Sequence, residues 1–120
     1  MIAHQYSNTY SYRNHETRFR SITVSDTAYF AGGTAISSDL TNYSFTAGMI
    51  ARYELDSDTM NWIYTYYAYD SDNNKLLDSV AALAMNPNGD SLVAYLTPYL
   101  WTIDGSNNRC FFRVDPTDGY

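Results

Sequence analysis

The sequence predicts an all-β protein, and three observations lead to this expectation. Aromatic residues make up 17% of the 120 residues and include 13 tyrosines, and such side chains suit half-exposed strands better than helices. Apolar runs of about five residues alternate with turn-forming residues, as in short strands. The order of these runs also recurs along the chain. The length is that of one ordinary domain.

The clearest element is a β-hairpin in the stretch SVAALAMNPNGDSLVAYL. Pro87 presets the φ angle of a turn position, and Asn88-Gly89 tolerates positive φ. One helix through both apolar runs would hold Pro87 and Gly89 in its interior, which costs about 4 kcal/mol. We therefore expect residues 80–85 and 92–96 to pair antiparallel across the NPNGD turn.

The chain contains an internal repeat with a period of roughly sixty residues. The stretch SITVSDTAYFAGGTAI resembles the hairpin stretch, with a tighter turn at Ser25-Asp26. MIARYELDSDT likewise matches CFFRVDPTDG, so that Arg52 corresponds to Arg113 and an acidic turn follows each. Each unit is expected to contain a hairpin, a polar loop, a strand, an acidic turn and a last strand. The expected divisions are an N-terminal extension at 1–20, a first unit at 21–69 and an incomplete second unit at 70–120, with long loops at 37–48 and 101–108.

Three segments together resemble the β-propeller-type repeats of secreted or surface proteins in bacteria and protists: AYFAGGTA, IARYELDSDTMNWIYTYY and VAALAMNPNGDSLVAY. The resemblance covers about 100 residues from Ser21 onward. It departs from the pattern where Tyr95-Leu96 replaces the Gly32-Gly33 of the first unit. It implies antiparallel blade-like units.

Two units do not close a propeller, which has about four to eight blades. Exposed edges and faces would recruit other chains, so either the gene product is longer or copies assemble. A single antiparallel sandwich of about eight strands is the alternative fold.

Charge and composition restrict the partners. The chain has 7 basic and 13 acidic residues, for a net charge of −6, so nucleic acid is not an expected partner. The cluster Arg13, Arg18 and Arg20 is interrupted by Glu16 and is expected to be a solvated segment. No apolar run approaches the roughly 18 residues of a membrane span, and the first residues lack a leader pattern, so the chain is intracellular or follows a removed leader. Cys110 is the only cysteine and is expected to be a buried, inert thiol.

No catalytic motif is present in the sequence, and we expect neither an enzyme nor a cofactor. The two histidines are His4 and His15, and HETR at His15 lacks the second histidine of a helical zinc site. The G-x-S-x-G nucleophile pattern is missing. Gly32-Gly33 lacks the other residues of a phosphate loop, and close packing or a bulge explains it better.

Two weaker signals concern ions and glycans. In DSDNN, Asp70, Asp72 and Asn74 alternate like the first ligands of a calcium loop, with Asp78 at the ninth position. The sixth and twelfth positions do not fit, so a solvated turn is the favoured interpretation. Asn42 begins an N-x-S triplet and would be a glycosylation candidate in a secreted protein.

The first dozen residues alternate in a strand-like way. Large side chains fall at even positions, which include Ile2, His4, Tyr6, Tyr10 and Tyr12. A strand with one apolar face shows this period of two, whereas a disordered leader need not. We expect this strand to fill the edge left open in the second unit, within one chain or, as the favoured version, between chains in a head-to-tail assembly.

Three functional classes follow from the sequence. The favoured class is a non-catalytic structural or interaction module, a subunit or fragment of a fibre-like extracellular or surface assembly whose partners are copies of itself or further repeats of a larger chain. The second is a glycan-binding module, and the third is a fragment of a propeller enzyme. A cytoplasmic location is the alternative. The rings expected to stack on sugars in the second class are Trp62, Tyr64, Tyr66 and Trp101.

Overall fold

The computed structural model describes residues 2–5, 15–38, 44–69, 75–77, 79–97 and 110–119. The strands within these ranges are β1 (Ile2–Gln5), β2 (His15–Val24), β3 (Ala28–Ser38), β4 (Ser44–Glu54), β5 (Met60–Tyr69), β6 (Lys75–Leu77), β7 (Ser79–Met85), β8 (Leu92–Thr97) and β9 (Cys110–Val114). No helix in this described part is long and apolar enough to cross a membrane.

The strands form two antiparallel sheets. The large sheet has six strands in the order β1-β5-β4-β3-β2, with β6 also paired to β5, and the small sheet has the order β7-β8-β9. Tyr69 pairs with both Ile2 and Lys75, so β1 and β6 lie on opposite edges of β5. The all-β class is confirmed, and two packed sheets fit the sandwich alternative. The propeller-type arrangement stays a prediction.

The hairpin predicted from the NPNGD turn is confirmed. Strands β7 and β8 pair antiparallel, with Met85 opposite Leu92. Gly89 has a φ of 74°, which the missing side chain permits. The Asn86 side-chain oxygen accepts hydrogen bonds from the backbone N–H groups of Asp90 (3.0 Å) and Ser91 (3.2 Å). The turn is therefore stabilised by hydrogen bonds among its own residues, as their sequence predicts.

The main core lies between the two sheets. Phe30, Ile50 and Trp62 from the large sheet meet side chains from the small sheet that include Leu92 and Leu96. Gly32 lets the sheets approach closely, because a Cβ atom there would lie 2.8 Å from Val80 and 2.9 Å from Leu83. Gly33 sits opposite the β-bulge between Phe19 and Ser21, and a side chain there would collide with the backbone of Arg18. The close packing predicted for Gly32-Gly33 is confirmed, whereas the bulge lies in the interior of the partner strand β2 and not at a strand end.

Several predicted boundaries need correction. β2 begins at His15, inside the expected extension, because its pairing with β3 continues past the bulge. β3 and β4 pair along their full length, from Ala28 opposite Glu54 to Ser38 opposite Ser44, so most of the expected 37–48 loop is strand.

The N-terminal strand is present, but its partner differs from the expectation. Ile2–Gln5 pairs with β5 of the same chain, with Gln5 opposite Tyr66. It does not fill an edge of the second unit. The reason is the position of β5 at the end of the β2-β3-β4-β5 order. Its edge on the side away from β4 can pair with β1.

Candidate functional site

The two sheets contain the same three-stranded meander, β2-β3-β4 in one and β7-β8-β9 in the other. Each first hairpin has a register shift at the same place. Phe19 pairs with Gly33 and Ser21 with Gly32, while Val80 pairs with Leu96 and Ala82 with Tyr95. The shift makes Gly32-Gly33 equivalent to Tyr95-Leu96. The two repeat units of the sequence give the same correspondence.

The turns that follow the third strands are also alike. Asp58 has a φ of 52° and Gly119 a φ of 82°. The Asp58 N–H donates to the Glu54 carbonyl at 2.9 Å, and the Gly119 N–H donates to the Asp115 carbonyl at 2.8 Å. Counting back from these turns places Arg52 and Arg113 at equivalent positions. This agrees with the sequence repeat and with the strand registers, in which Arg52 faces Phe30 and Arg113 faces Val93.

Equivalent residues on superimposable strands point to the same side, because side chains alternate along a strand. Phe30 points from the large sheet into the core, whereas the equivalent Val93 lies on the side of the small sheet away from that core, one residue from the buried Leu92 and Ala94. The two sheets therefore stack in the same orientation. We call the core-facing side of each sheet its inner face and the opposite side its outer face.

The outer face of the large sheet carries a continuous row of apolar side chains. Val24 pairs with Tyr29, Tyr29 with Tyr53, and Tyr53 with Met60, so the row crosses four strands. Val24 is 59% exposed and Met60 is 51% exposed. Ile22 lies one row farther along at 63% exposure. We call this surface the apolar face.

A shallow depression of about 420 Å³ opens on the apolar face. The short side chain of Ala31, in the middle of β3, leaves space between the longer side chains around it. The residues that line the depression are Phe19, Arg20, Ser21, Ile22, Tyr29, Ala31 and Tyr53. At the far end of the same face, Ala35, Ala47 and Met49 are buried.

Two tyrosines make the rigid part of the apolar face. The rings of Tyr29 and Tyr53 stack at 4.9 Å with planes 7° apart. The Tyr29 hydroxyl donates to the Asp58 carboxylate at 3.0 Å. Partial burial, and then the hydrogen bond and charge of Asp58, raise the pKa of Tyr29, so the hydroxyl keeps its proton at neutral pH. A ring fixed in this way loses little further freedom when a partner packs on it.

The outer face of the small sheet has an aromatic pair of its own. The rings of Tyr95 and Phe111 stack at 4.7 Å, and Phe111 is 71% exposed. Arg113 is also exposed on this face. We call this surface the aromatic ridge.

The equivalent arginine on the inner face is tied into the fold. Arg52 donates to the Pro116 carbonyl at 2.6 Å and to the Glu54 carboxylate at 3.0 Å, and its guanidinium lies 5.6 Å from the centre of the Phe30 ring. Hydrogen bonds from Asn61 and Arg52 lower the pKa of Glu54. Arg52 thus fastens the large sheet to the turn that follows β9.

Three of the four aromatic residues expected to bind sugars lie in the core of the structure or against it. Trp62 and Tyr66 are buried at 4% and 3% exposure in the core between the sheets, where their indole N–H and hydroxyl donate to the carbonyls of Pro116 and Gly119. Tyr64 packs against the same core. These three rings therefore do not form the expected sugar platform. Cys110 is half-buried beside the core.

Of the other predicted site residues, the structure describes only some. His4 and Ile2 lie in β1, and His15 begins β2. No group of three or more metal-ligating side chains occurs among the described residues. The following residues lie outside the described ranges: Tyr6, Tyr10, Tyr12, Asn42, Asp70, Asp72, Asn74, Asp78 and Trp101.

The sequence reasoning missed the apolar face itself. Its residues alternate with polar or small ones along strands that were predicted, but the sequence does not show which side of a strand a second sheet covers. The repeat contains a signal for this face, since the equivalent residues Ile22 and Leu83 are both large and aliphatic. Comparisons with protein-family models, curated proteins and solved structures found no match to this chain.

Proposed function

We propose that this protein is a non-catalytic interaction module that assembles with copies of itself through the apolar face. The observation that carries the proposal is a row of apolar side chains across one sheet surface, in which Val24 and Met60 at the ends and the nearby Ile22 are each more than half exposed and the two tyrosines between them are half-buried. Contiguous apolar surface rimmed by polar residues is typical of protein interaction sites.

The chemistry of the apolar face favours association over catalysis. It offers aliphatic groups and the stacked rings of Tyr29 and Tyr53, and neither the aliphatic groups nor the protonated Tyr29 phenol is an activated nucleophile or a general base at neutral pH. Aromatic anchors with restricted rings are the side chains that dominate interface energetics. An extracellular or surface location and a glycan at Asn42 remain predictions.

Sedimentation velocity over a wide range of protein concentration tests the proposal. The wild-type protein should form species larger than a monomer, and Ile22→Arg should remain monomeric because a buried, unpaired guanidinium opposes association. Asn88→Arg is the matched control, since it adds the same charge at an exposed turn residue away from the apolar face. A wild-type protein that stays monomeric at every concentration would contradict the proposal.

Deletion of residues 1–12 separates this proposal from strand donation. Assembly through the apolar face should survive the deletion, because Ile2–Gln5 pairs with residues 66–69 of β5, away from the exposed row that ends at Met60. Complete loss of assembly in a deletion variant that remains folded would favour strand exchange instead.

A further inference from the structure

We infer that the apolar face binds the aromatic ridge of a second copy, so that chains stack head to tail and the contact between copies repeats the contact between the two sheets of one chain. This inference rests on the proposed self-association and specifies its geometry.

The first step compares the apolar face with its equivalent surface. Ile22 is equivalent to Leu83, and Tyr29 is equivalent to Leu92, by the shared registers. Leu83 is 8% exposed and Leu92 is fully buried, whereas Ile22 is 63% exposed. At these two positions the apolar face therefore has a large aliphatic side chain and an aromatic ring where the small sheet buries leucines against the large sheet.

The second step identifies what such a surface packs against. Within one chain, the inner face of the small sheet packs on the inner face of the large sheet. The surface equivalent to that large inner face is the aromatic ridge, because Gly32 and Arg52 are equivalent to Tyr95 and Arg113. Among the described residues, each chain thus has one surface of each kind that the other sheet does not cover, and the two kinds correspond by the pattern of the repeat.

The third step concerns the sizes of the side chains. Inside the chain, Gly32 on the large sheet makes room for Leu83 on the small sheet. Between copies, Tyr95 takes the place of Gly32 while Ile22 is as large as Leu83, so the room must come from the depression beside Ile22. The ridge presents Tyr95 stacked on Phe111, and the apolar face presents the depression over Ala31. A projecting ring pair then meets a recess, as close packing of the two faces requires.

The fourth step concerns charge. Arg52 donates to the carbonyl of Pro116, in the turn after β9. The corresponding contact of Arg113 would reach the turn after β4 in the next copy, where Asp56 and Asp58 are exposed. A guanidinium facing an acidic turn favours this register over a reversed one.

The geometry has a direct consequence for assembly. A contact between two different surfaces is heterologous, so every added copy leaves one surface of each kind available. Such contacts build a ring when the rotation closes and a filament when it does not.

Complementation between two variants tests the inference. Ile22→Arg disables the apolar face and leaves the ridge intact, and Phe111→Arg does the reverse. Each variant alone should sediment as a monomer. An equimolar mixture should restore one contact per pair, so that its mass rises to that of a dimer and no further. Asn88→Arg should assemble like the wild type, and matching thermal unfolding midpoints would show that all variants are folded.

The outcomes separate the inference from the proposed function. If the wild type assembles and Phe111→Arg assembles equally well, or if the mixture stays monomeric, the head-to-tail pairing is wrong while self-association stands. A monomeric wild type would overturn self-association itself, and with it the pairing. A mixture that contains only dimers supports the pairing, because a symmetric contact between two apolar faces would not be rescued by mixing.

Discussion

Ile22 and Leu83 hold equivalent places in the two meanders, yet Leu83 is 8% exposed and Ile22 is 63% exposed. The two strands share a bulge, a register and an apolar residue at this place. What differs is the surface opposite, which is the large sheet for Leu83 and no described residue of the same chain for Ile22. The first hairpin of each meander therefore has an apolar side. Whether that side is covered depends on whether another sheet packs on it.

The largest effect is expected from truncating this equivalent pair. Leu83→Ala should lower the free energy of unfolding by about 2–5 kcal/mol, because it leaves a cavity between the sheets. Ile22→Ala should change it by no more than about 0.5 kcal/mol in the monomer, as for other surface substitutions. Urea unfolding at a concentration where the protein is monomeric measures both. Equal losses would show that the apolar face is covered within the chain.

The two arginines offer a comparison in polar chemistry. Arg52→Ala should cost about 1.5–3 kcal/mol of unfolding free energy, the usual value for a charged hydrogen bond, since its bond to the Pro116 carbonyl joins the large sheet to the turn after β9 and its bond to Glu54 is lost as well. Arg113→Ala should cost no more than about 0.5 kcal/mol. The same unfolding assay applies, and a larger loss for Arg113 than for Arg52 would refute the assigned roles.

The equivalent turns should differ in their tolerance of a side chain. Gly119→Ala should cost about 1–2 kcal/mol for the left-handed backbone alone, and the added Cβ would also press on the rings of Tyr64 and Trp62. Asp58→Ala should cost less, because Asp58 already has a Cβ atom at a φ of 52°, so that the losses are its bond with Tyr29 and the modest advantage of Asp over Ala in the left-handed region. Thermal unfolding of the two variants compares them, and a greater loss for Asp58 would contradict this account.

The smallest expected effect concerns how the stability of the protein depends on pH in the acid range. The folded-state pKa of Glu54 is lowered by Asn61 and Arg52, so its contribution to stability is present above the ordinary carboxyl pKa and is lost as the pH falls through the lowered value. Glu54→Gln should therefore flatten the dependence of stability on pH in the acid range. Urea unfolding at several acid pH values tests this, and an unchanged pH profile in the variant would count against it.

Local chemistry explains which parts of the fold the sequence predicts. Pro87 and Gly89 define their turn without help from the rest of the chain, so the β7-β8 hairpin is predictable. The equivalence of Arg52 and Arg113 is predictable because an acidic turn follows each. The burial of Trp62 is not, because the alternation along β5 identifies two sides but not the side on which the small sheet lies. The bulge before Ser21 and the pairing of β1 with β5 likewise depend on partners distant in sequence.

Disulfide trapping between copies tests the head-to-tail stack most directly. The equivalent contact places Tyr95 of one copy opposite Ile22 of the next, as Gly32 lies opposite Leu83 within the chain. In a Cys110→Ser background, Ile22→Cys combined with Tyr95→Cys should give a ladder of covalent multimers under mild oxidation, because disulfides form only between close, well-oriented cysteines. Ile22→Cys combined with Asn88→Cys is the control and should give no ladder. Covalent dimers from Ile22→Cys alone, with no ladder from the paired variant, would show a symmetric contact and contradict the stack.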